Sequence, residues 1–399
     1  MLSAAATPTI VATLPVVGAN IGEITQRFYK HLFEAHPQLL DGVFNRSNQQ
    51  QGHQAQALAG SVAAFATMLI SNPGQLPEAL LSRISHKHAS LGISADQYEV
   101  VHEHLFWAIA DVLGEAVTPE VASAWDEVYW LMANTLINLE RGLYAVAGRE
   151  SGAVWDSWTV VQKITENTDT LSFVVARTDG SPASISWPGQ YVSVQVQMAD
   201  GASQPRQYSL TRAHDGIHRV FTVKRVQQSG EPLGEVSNRL HDTVSVGDQL
   251  TISEPFGDVV LEPSSRPVVL ASAGIGVAPM AGMISHLARE KSSRQVHFLH
   301  ADFSPTSFAL REQVEADLLK IETAQCQYWF EEPGTDTQTV RGGYMVFDSI
   351  ELPADADYYL CGPLAFMQSV RGQLLERGVP PRAIRYEVFG PDLWQADFA

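Results

Sequence analysis

The sequence predicts an all-α segment, then an antiparallel β-barrel, then an open parallel α/β sheet. Three observations predict it. Residues 1–149 place apolar side chains at helical spacing between Gly, Pro and Asn breaks. Residues 150–262 are short β-branched and aromatic runs separated by Gly, Pro and Asp turns, and residues 263–399 alternate strand, turn and helix. A chain of 399 residues is also longer than one typical core, which fits such a division.

In the first segment, IGEITQRFYKHLFEAHP sets Ile21, Ile24, Phe28 and Leu32 on one helical face and stops at Pro37. GHQAQALAGSVAAFATMLI and AWDEVYWLMANTLINLERGLYAVAG are long, Ala/Leu-rich helices ending near Gly or Pro. The stretch AGRESGAVWDSW reads as a linker. After it come WTVVQKI, TLSFVVA, QYVSVQVQ, RQYSLTR, HRVFTVKR and QLTIS; Val192, Val194 and Val196 alternate with polar residues as in a half-buried strand. From 263 on, RPVVLAS runs into AGIGVAPMAGMISHLARE, a glycine turn opening a helix, and VHFLHA and DADYYLCGP read as later strands.

The formal net charge of −18 is spread along the chain, with no Lys/Arg run. Nucleic acid and anionic membrane are therefore poor partners, and no basic docking face for an acidic protein electron carrier is visible. No apolar run approaches the roughly 20 residues that span a bilayer, and the N-terminus lacks a basic signal start. Two cysteines, Cys326 and Cys361, offer neither a disulfide framework nor a metal cluster. A cytoplasmic protein without integral membrane association is expected.

RISHKHASLGI, residues 83–93, holds two histidines. On a helix, Leu81, Ile84, His88 and Leu91 share one face, while His86 lies about 200° away from His88. His88 is therefore on the apolar stripe, as either a core residue or a ligand.

The runs GQYVSV (189–194), RQYSL (206–210) and VSNRLH (236–241), followed by GIGVAP (274–279) and CGP (361–363), resemble the ferredoxin–NADP reductase superfamily across 151–399. The resemblance implies an FAD site in which Tyr208 stacks on the isoalloxazine beside Gln207, Ser209 bonds near N5, and Arg206 meets the pyrophosphate. Ser237 and the amides opening its helix would take phosphate oxygen, and Tyr191 would flank the ring or ribityl chain. Gly274, Ile275, Gly276, Val277, Ala278 and Pro279 would form the dinucleotide turn. Ala278 stands where the family usually has Thr or Ser, which removes one hydroxyl contact. Cys361 and Gly362 would lie near the nicotinamide. In YEVFGP, Phe389 would cover the other flavin face and Glu387 would lie between flavin and haem, within the run completed by Val388, Gly390 and Pro391.

RFYKHLF, VFNRSNQQQGHQAQAL, ISHKHASLGISADQY and NTLINLE resemble the globin domain of the flavohemoglobins, a family that joins a globin to this reductase type in this order. What that resemblance implies is a haem b whose iron is held by His88. Glu140 would accept the imidazole N–H, and Tyr98 would hold Glu140. On the distal side Tyr29 would hydrogen-bond iron-bound oxygen, with Gln54 close by, Leu58 walling the pocket and Phe44 on the porphyrin. His53 is expected to be exposed, and His102 and His104 to be surface or helix-packing residues. The implied activity is nitric oxide dioxygenase: electrons pass from NADH (or NADPH) through FAD to haem, where NO and O2 yield nitrate, with no obligatory protein carrier. Two rivals are an oxygen- or NO-binding sensor that reduces its own haem, and a flavin reductase with a haem-free helical interaction domain. In DFSPTSF, which follows VHFLHA, Asp302 either accepts a bond from the adenine ribose or caps the next turn. No Arg or Lys follows until Arg311, which predicts NADH over NADPH.

Overall fold

The computed structural model describes the chain apart from residues 45, 47–51, 73–75, 77, 228–233, 333–336, 349, 354 and 391–399, and apart from the side chains of 53 and 78–80. The described residues divide into two compact units, Met1–Trp155 with Gln197–Arg206, and Asp156–Val196 with Gln207–Gly390.

The first unit is helical: α1 (Ala6–Ala35), α2 (His53–Ser71), α3 (Glu78–Leu91), α4 (Gln97–Leu113) and α5 (Pro119–Val146). α1 begins well before the stretch expected from the sequence and runs through Pro15. Proline there forgoes one backbone bond. The apolar residues explain why the helix continues, since Ile10, Val17, Ile24, Phe28 and Leu32 are all buried along one face. α1 packs on α2 and α4, and α3 on α5. α5 starts at Thr118, whose hydroxyl accepts from Val121 N at 3.3 Å, followed by Pro119 at the first helical position.

One expectation needs correction. Gln54–Ser71 reaches a mean hydropathy of 1.2, so by length and composition α2 could cross a membrane. Of that stretch 28% is buried, with Phe65 and Ala66 packed fully against the other helices.

The rest of the chain carries two sheets. Strands β1 (Trp155–Thr165), β2 (Thr170–Arg177), β3 (Tyr191–Gln197), β4 (Ser203–Ser209), β5 (His218–Lys224) and β6 (Gln249–Ser253) form one sheet in the order β4-β3-β6-β1-β2-β5. The pairs β1–β2, β2–β5 and β3–β6 are antiparallel. The sheet curls closed just past β4, where Leu210 bridges Phe221 and Thr211 N donates to Val220 O at 2.9 Å. Closure leaves no long free edge. A single helix, α6 (Glu235–Thr243), is set between β5 and β6.

The other sheet contains β7 (Val268–Ala273), β8 (Val296–Asp302), β9 (Ala324–Phe330), β10 (Val340–Gly342), β11 (Asp357–Cys361) and β12 (Ile384–Glu387). Its order is β10-β9-β8-β7-β11-β12, and all its pairings are parallel. Helices α7 (Val277–Arg289), α8 (Arg311–Leu318) and α9 (Leu364–Glu376) connect the strands. Strand order reverses beside β7, so the crevice beyond the ends of β7 and β11 is where such a sheet takes a ligand.

Candidate functional site

In the helical unit, His88 projects from α3, Tyr98 from the first turn of α4, and Glu140 from α5. His88 Nδ1 lies 2.9 Å from Glu140 Oε1 and 3.0 Å from the Tyr98 hydroxyl, which itself donates to Glu140 Oε1 at 2.6 Å. The carboxylate can only accept, so Nδ1 carries the proton and Nε2 keeps its lone pair for a metal. Burial, and then the charge of Glu140, push the Tyr98 phenol far above its ordinary value, so Tyr98 stays a donor. Glu140 sits on a stripe with Ala133, Leu136 and Tyr144, all buried. A carboxylate there is costly unless it is hydrogen-bonded.

Two residues that the sequence reading did not single out fix this set. Tyr129 donates to Tyr98 O at 2.5 Å and Tyr144 to Ile93 O at 2.6 Å, pinning the connection from α3 to α4. The available signal was Tyr144, one helical turn beyond Glu140 on the same face.

Tyr29 is buried on α1, with Phe33 stacked at 5.7 Å and Phe44 edge-on at 6.0 Å. Burial raises its phenol, so it too remains protonated. No protein hydrogen bond to its hydroxyl is present among the described residues. Gln54 and Leu58 follow on α2, both partly buried, and Leu58 packs into the core with Phe44. The His53 side chain lies outside the described residues. His86 is partly buried rather than fully outward. His102 and His104 pack helices, as expected: His102 Nε2 meets Asp126 at 2.7 Å, and His104 Nδ1 meets His31 Nδ1 at 2.8 Å.

In the second unit Tyr208 stacks on Phe221 at 5.5 Å, Gln207 donates to Ser193 Oγ at 3.0 Å, and Ser209 is buried at the end of β4. Arg206, on the same strand, donates to Pro205 O at 2.7 Å. Tyr191 is buried at the start of β3, where it exchanges backbone bonds with Phe256. Gly257 has φ 131°, and its missing Cβ leaves room for the Tyr191 ring. Ser237 has partners within the chain. Its hydroxyl donates to Gly234 O at 3.0 Å and accepts from Val226 N at 3.1 Å, so it fastens the start of α6. Phosphate would be met there by the helix's first amides.

Gly274, Ile275 and Gly276 form a single 3₁₀ turn, and Val277, Ala278 and Pro279 open α7 as buried residues. Gly274 has φ 52° with nothing where its Cβ would be, while a Cβ on Gly276 would collide with the Cys361 carbonyl. These two glycines leave a backbone-lined cradle between the ends of β7 and β11. Cys361 is buried, and burial followed by Glu387 raises its thiol well above the usual range, so it stays neutral. Gly362 continues extended beyond it (φ 159°). Glu387 ends β12, Val388 and Gly390 flank Phe389, and Phe389 is 51% exposed. Pro391 lies outside the described residues.

The chain is similar to known proteins along its whole length. The Globin family matches residues 26–136, and the Oxidoreductase NAD-binding domain family matches 270–372. A flavohemoprotein of Bordetella pertussis is 39% identical over 98% of this chain and 99% of its own length. The chain belongs to the flavohemoprotein family. A second flavohemoprotein, from Chromobacterium violaceum, is 40% identical over 98% of both chains. Among solved structures, the flavohemoglobin of Malassezia yamatoensis, with bound FAD and haem, superposes with a TM-score of 0.89 at 38% identity, covering 98% of this chain and 100% of that one. The FAD/NAD-binding domain of a Vibrio cholerae nitric oxide dioxygenase gives 0.56 at 35% identity, over 59% of this chain and 99% of that one. As a flavohemoprotein the chain is an NAD(P)H-dependent oxidoreductase built from a helical globin, an antiparallel-sheet FAD domain and a parallel-sheet NAD domain.

Proposed function

We propose that this flavohemoprotein is a nitric oxide dioxygenase, working in the cytoplasm on O2 and NO with haem b, FAD and NADH. Its domains are read as 1–149, 150–262 and 263–399. When bound, the three groups supply hydride acceptance, one-electron transfer and oxygen chemistry. Oxidising NO to nitrate with O2 takes one further electron, so each NADH serves two turnovers.

The observation that carries the reading is the hydrogen-bonded set of His88, Glu140 and Tyr98. A hydrogen bond from Nδ1 to a carboxylate makes Nε2 a strongly donating ligand. Tyr29, mostly buried and kept protonated by that burial, would be a donor to a small ligand on the iron. In the reductase unit, Tyr208 and Ser209 orient the flavin ring and the Gly274–Gly276 turn admits a pyrophosphate to backbone amides. Cys361, held as a neutral thiol, adds no charge beside a nicotinamide.

The test is a visible spectrum followed by gas consumption. Purified protein should show haem and flavin bands near one each per chain. It should consume NO with NADH in the presence of O2, and far more slowly without O2. Flavin without haem would return the helical unit to an interaction module. Slow NO turnover with tight O2 retention would make it an oxygen-binding protein.

A further inference from the structure

Beneath the candidate dinucleotide site lies a set of side chains that no cofactor motif includes. Ser272, next to last in β7, pairs across the sheet with His300 of β8. Both are fully buried, and Ser272 Oγ lies 2.9 Å from His300 Nδ1. His300 Nε2 is buried without a hydrogen-bond partner and lies 3.5 Å from Asp302 Oδ2, an electrostatic contact only. A carboxylate only accepts, so the ring proton is on Nε2, and Nδ1 accepts from the Ser272 hydroxyl. Phe308 stacks on the imidazole at 4.0 Å.

Asp302 is not available to a ribose. Its side chain is only 6% exposed, and its Oδ1 accepts from Phe303 N at 2.7 Å and from Ser307 Oγ at 2.6 Å. The carboxylate caps the turn it starts, so of the two sequence readings the structure keeps the cap. The far end of the same loop is tied to the barrel. Asn167 donates to Ser307 O at 2.8 Å, and Leu310 N donates to Glu166 Oε2 at 3.2 Å. Leu310 is buried with φ 61°, a left-handed conformation that a leucine keeps only when its surroundings enforce it.

We propose that His300 is a positioning residue for the dinucleotide: by bridging Ser272 and Asp302 it holds the glycine turn after β7 in register with the 303–307 loop after β8. Those two segments end adjacent strands beside the switch point, where the pyrophosphate and the adenosine half of a dinucleotide would lie. The inference rests on reading this sheet as the NADH site.

The test uses full-length, FAD-loaded protein and three variants. His300→Phe keeps the ring that stacks on Phe308 and removes both polar contacts. Ser272→Ala deletes one oxygen and keeps the test alive if the first variant misfolds. His300→Gln restores a polar partner and should recover part of the loss. Calorimetric titration with NAD+ should show affinity about tenfold weaker in the first two. KM for NADH should rise in parallel while kcat stays within about twofold, and FAD content and the haem spectrum should not change. Wild-type NAD+ affinity in both Ser272→Ala and His300→Phe would overturn the proposal, as would loss of kcat and FAD with KM unchanged. If wild-type protein neither binds NAD+ nor accepts hydride from NADH, it is the reading of the site that fails instead.

Discussion

The two candidate sites are made of different material. In the helical unit the chemistry belongs to side chains: an imidazole, a carboxylate and a phenol reach a common point from three helices. In the α/β half the site is mostly backbone, a glycine turn and a strand end kept close by missing Cβ atoms. A single substitution should therefore remove chemistry from the first site without unfolding it. In the second it should change geometry and affinity more than chemistry.

The largest expected effect tests the first half of that contrast. His88→Ala removes the side chain proposed as iron ligand, and the protein should purify with FAD but with little haem. His86→Ala should keep its haem spectrum. Normal haem content in the His88 variant would mean that the Glu140–Tyr98 pair serves packing alone.

Tyr29→Phe should have a smaller effect in the same site. A hydrogen bond to a charged group contributes about 1.5–3 kcal/mol, so oxygen should leave roughly 10–100-fold faster and aerobic NO removal should fall. An unchanged off-rate would show that the phenol does not meet the ligand.

The contrast also explains what could be read from the sequence. Residues 88, 98 and 140 were legible through the resemblance to the flavohemoglobin globin domain, since helical spacing alone left His88 as either a core residue or a ligand. The segment order was legible because helical, alternating and strand–turn–helix periodicities differ. The N-terminal reach of α1 was not: Pro15 argues against a helix, and burial of Ile10 and Val17 overrides it only once α1 has helices to pack on. The roles of Ser237 and Asp302 were equally hidden. Each is decided by partners in the folded chain, Gly234 and Val226 for one, Phe303, Ser307 and His300 for the other. A motif shows that a polar residue is present, not which neighbour occupies it.

The choice of nicotinamide tests the backbone-built site. With Asp302 engaged in its turn, the preference for NADH rests on charge: residues 302–310 contain no Arg or Lys, and a carboxylate stands at the loop's start. His300 and Ser307 hold that carboxylate below its ordinary pKa against the opposing effect of burial, so it is ionised at neutral pH. A 2′-phosphate would meet repulsion and no cation. kcat/KM should favour NADH at least tenfold, equivalent to about 1.4 kcal/mol, and Asp302→Arg should shrink the ratio. Equal use of the two cofactors would mean that a cation from elsewhere reaches the ribose.

The smallest effect separates the two units by their buried histidines. Burial lowers the pKa of both His104 and His300. Asp302 opposes that shift at His300, whereas His104 faces His31 and His36, which deepen it, with only Glu103 acting the other way. The His104 Nε2 is buried without a partner, and the ring's contact is the 2.8 Å approach to His31, itself stacked on Trp107 at 3.8 Å. A histidine with a depressed folded pKa contributes stability that is fully present above the unfolded value, about 6.5, and is lost as pH falls through the folded value. Acidification from pH 7.5 to 5 should therefore weaken the helical unit through His104. Far-UV melting should register the helical loss, and FAD fluorescence should follow the reductase unit separately. His104→Gln, whose amide can still bond to His31, should reduce the acid-induced drop in helical Tm by about 2–4 °C and leave the flavin transition where it was. If wild type and variant lose Tm in parallel between pH 7.5 and 5, His104 does not set the acid limit of the helical unit.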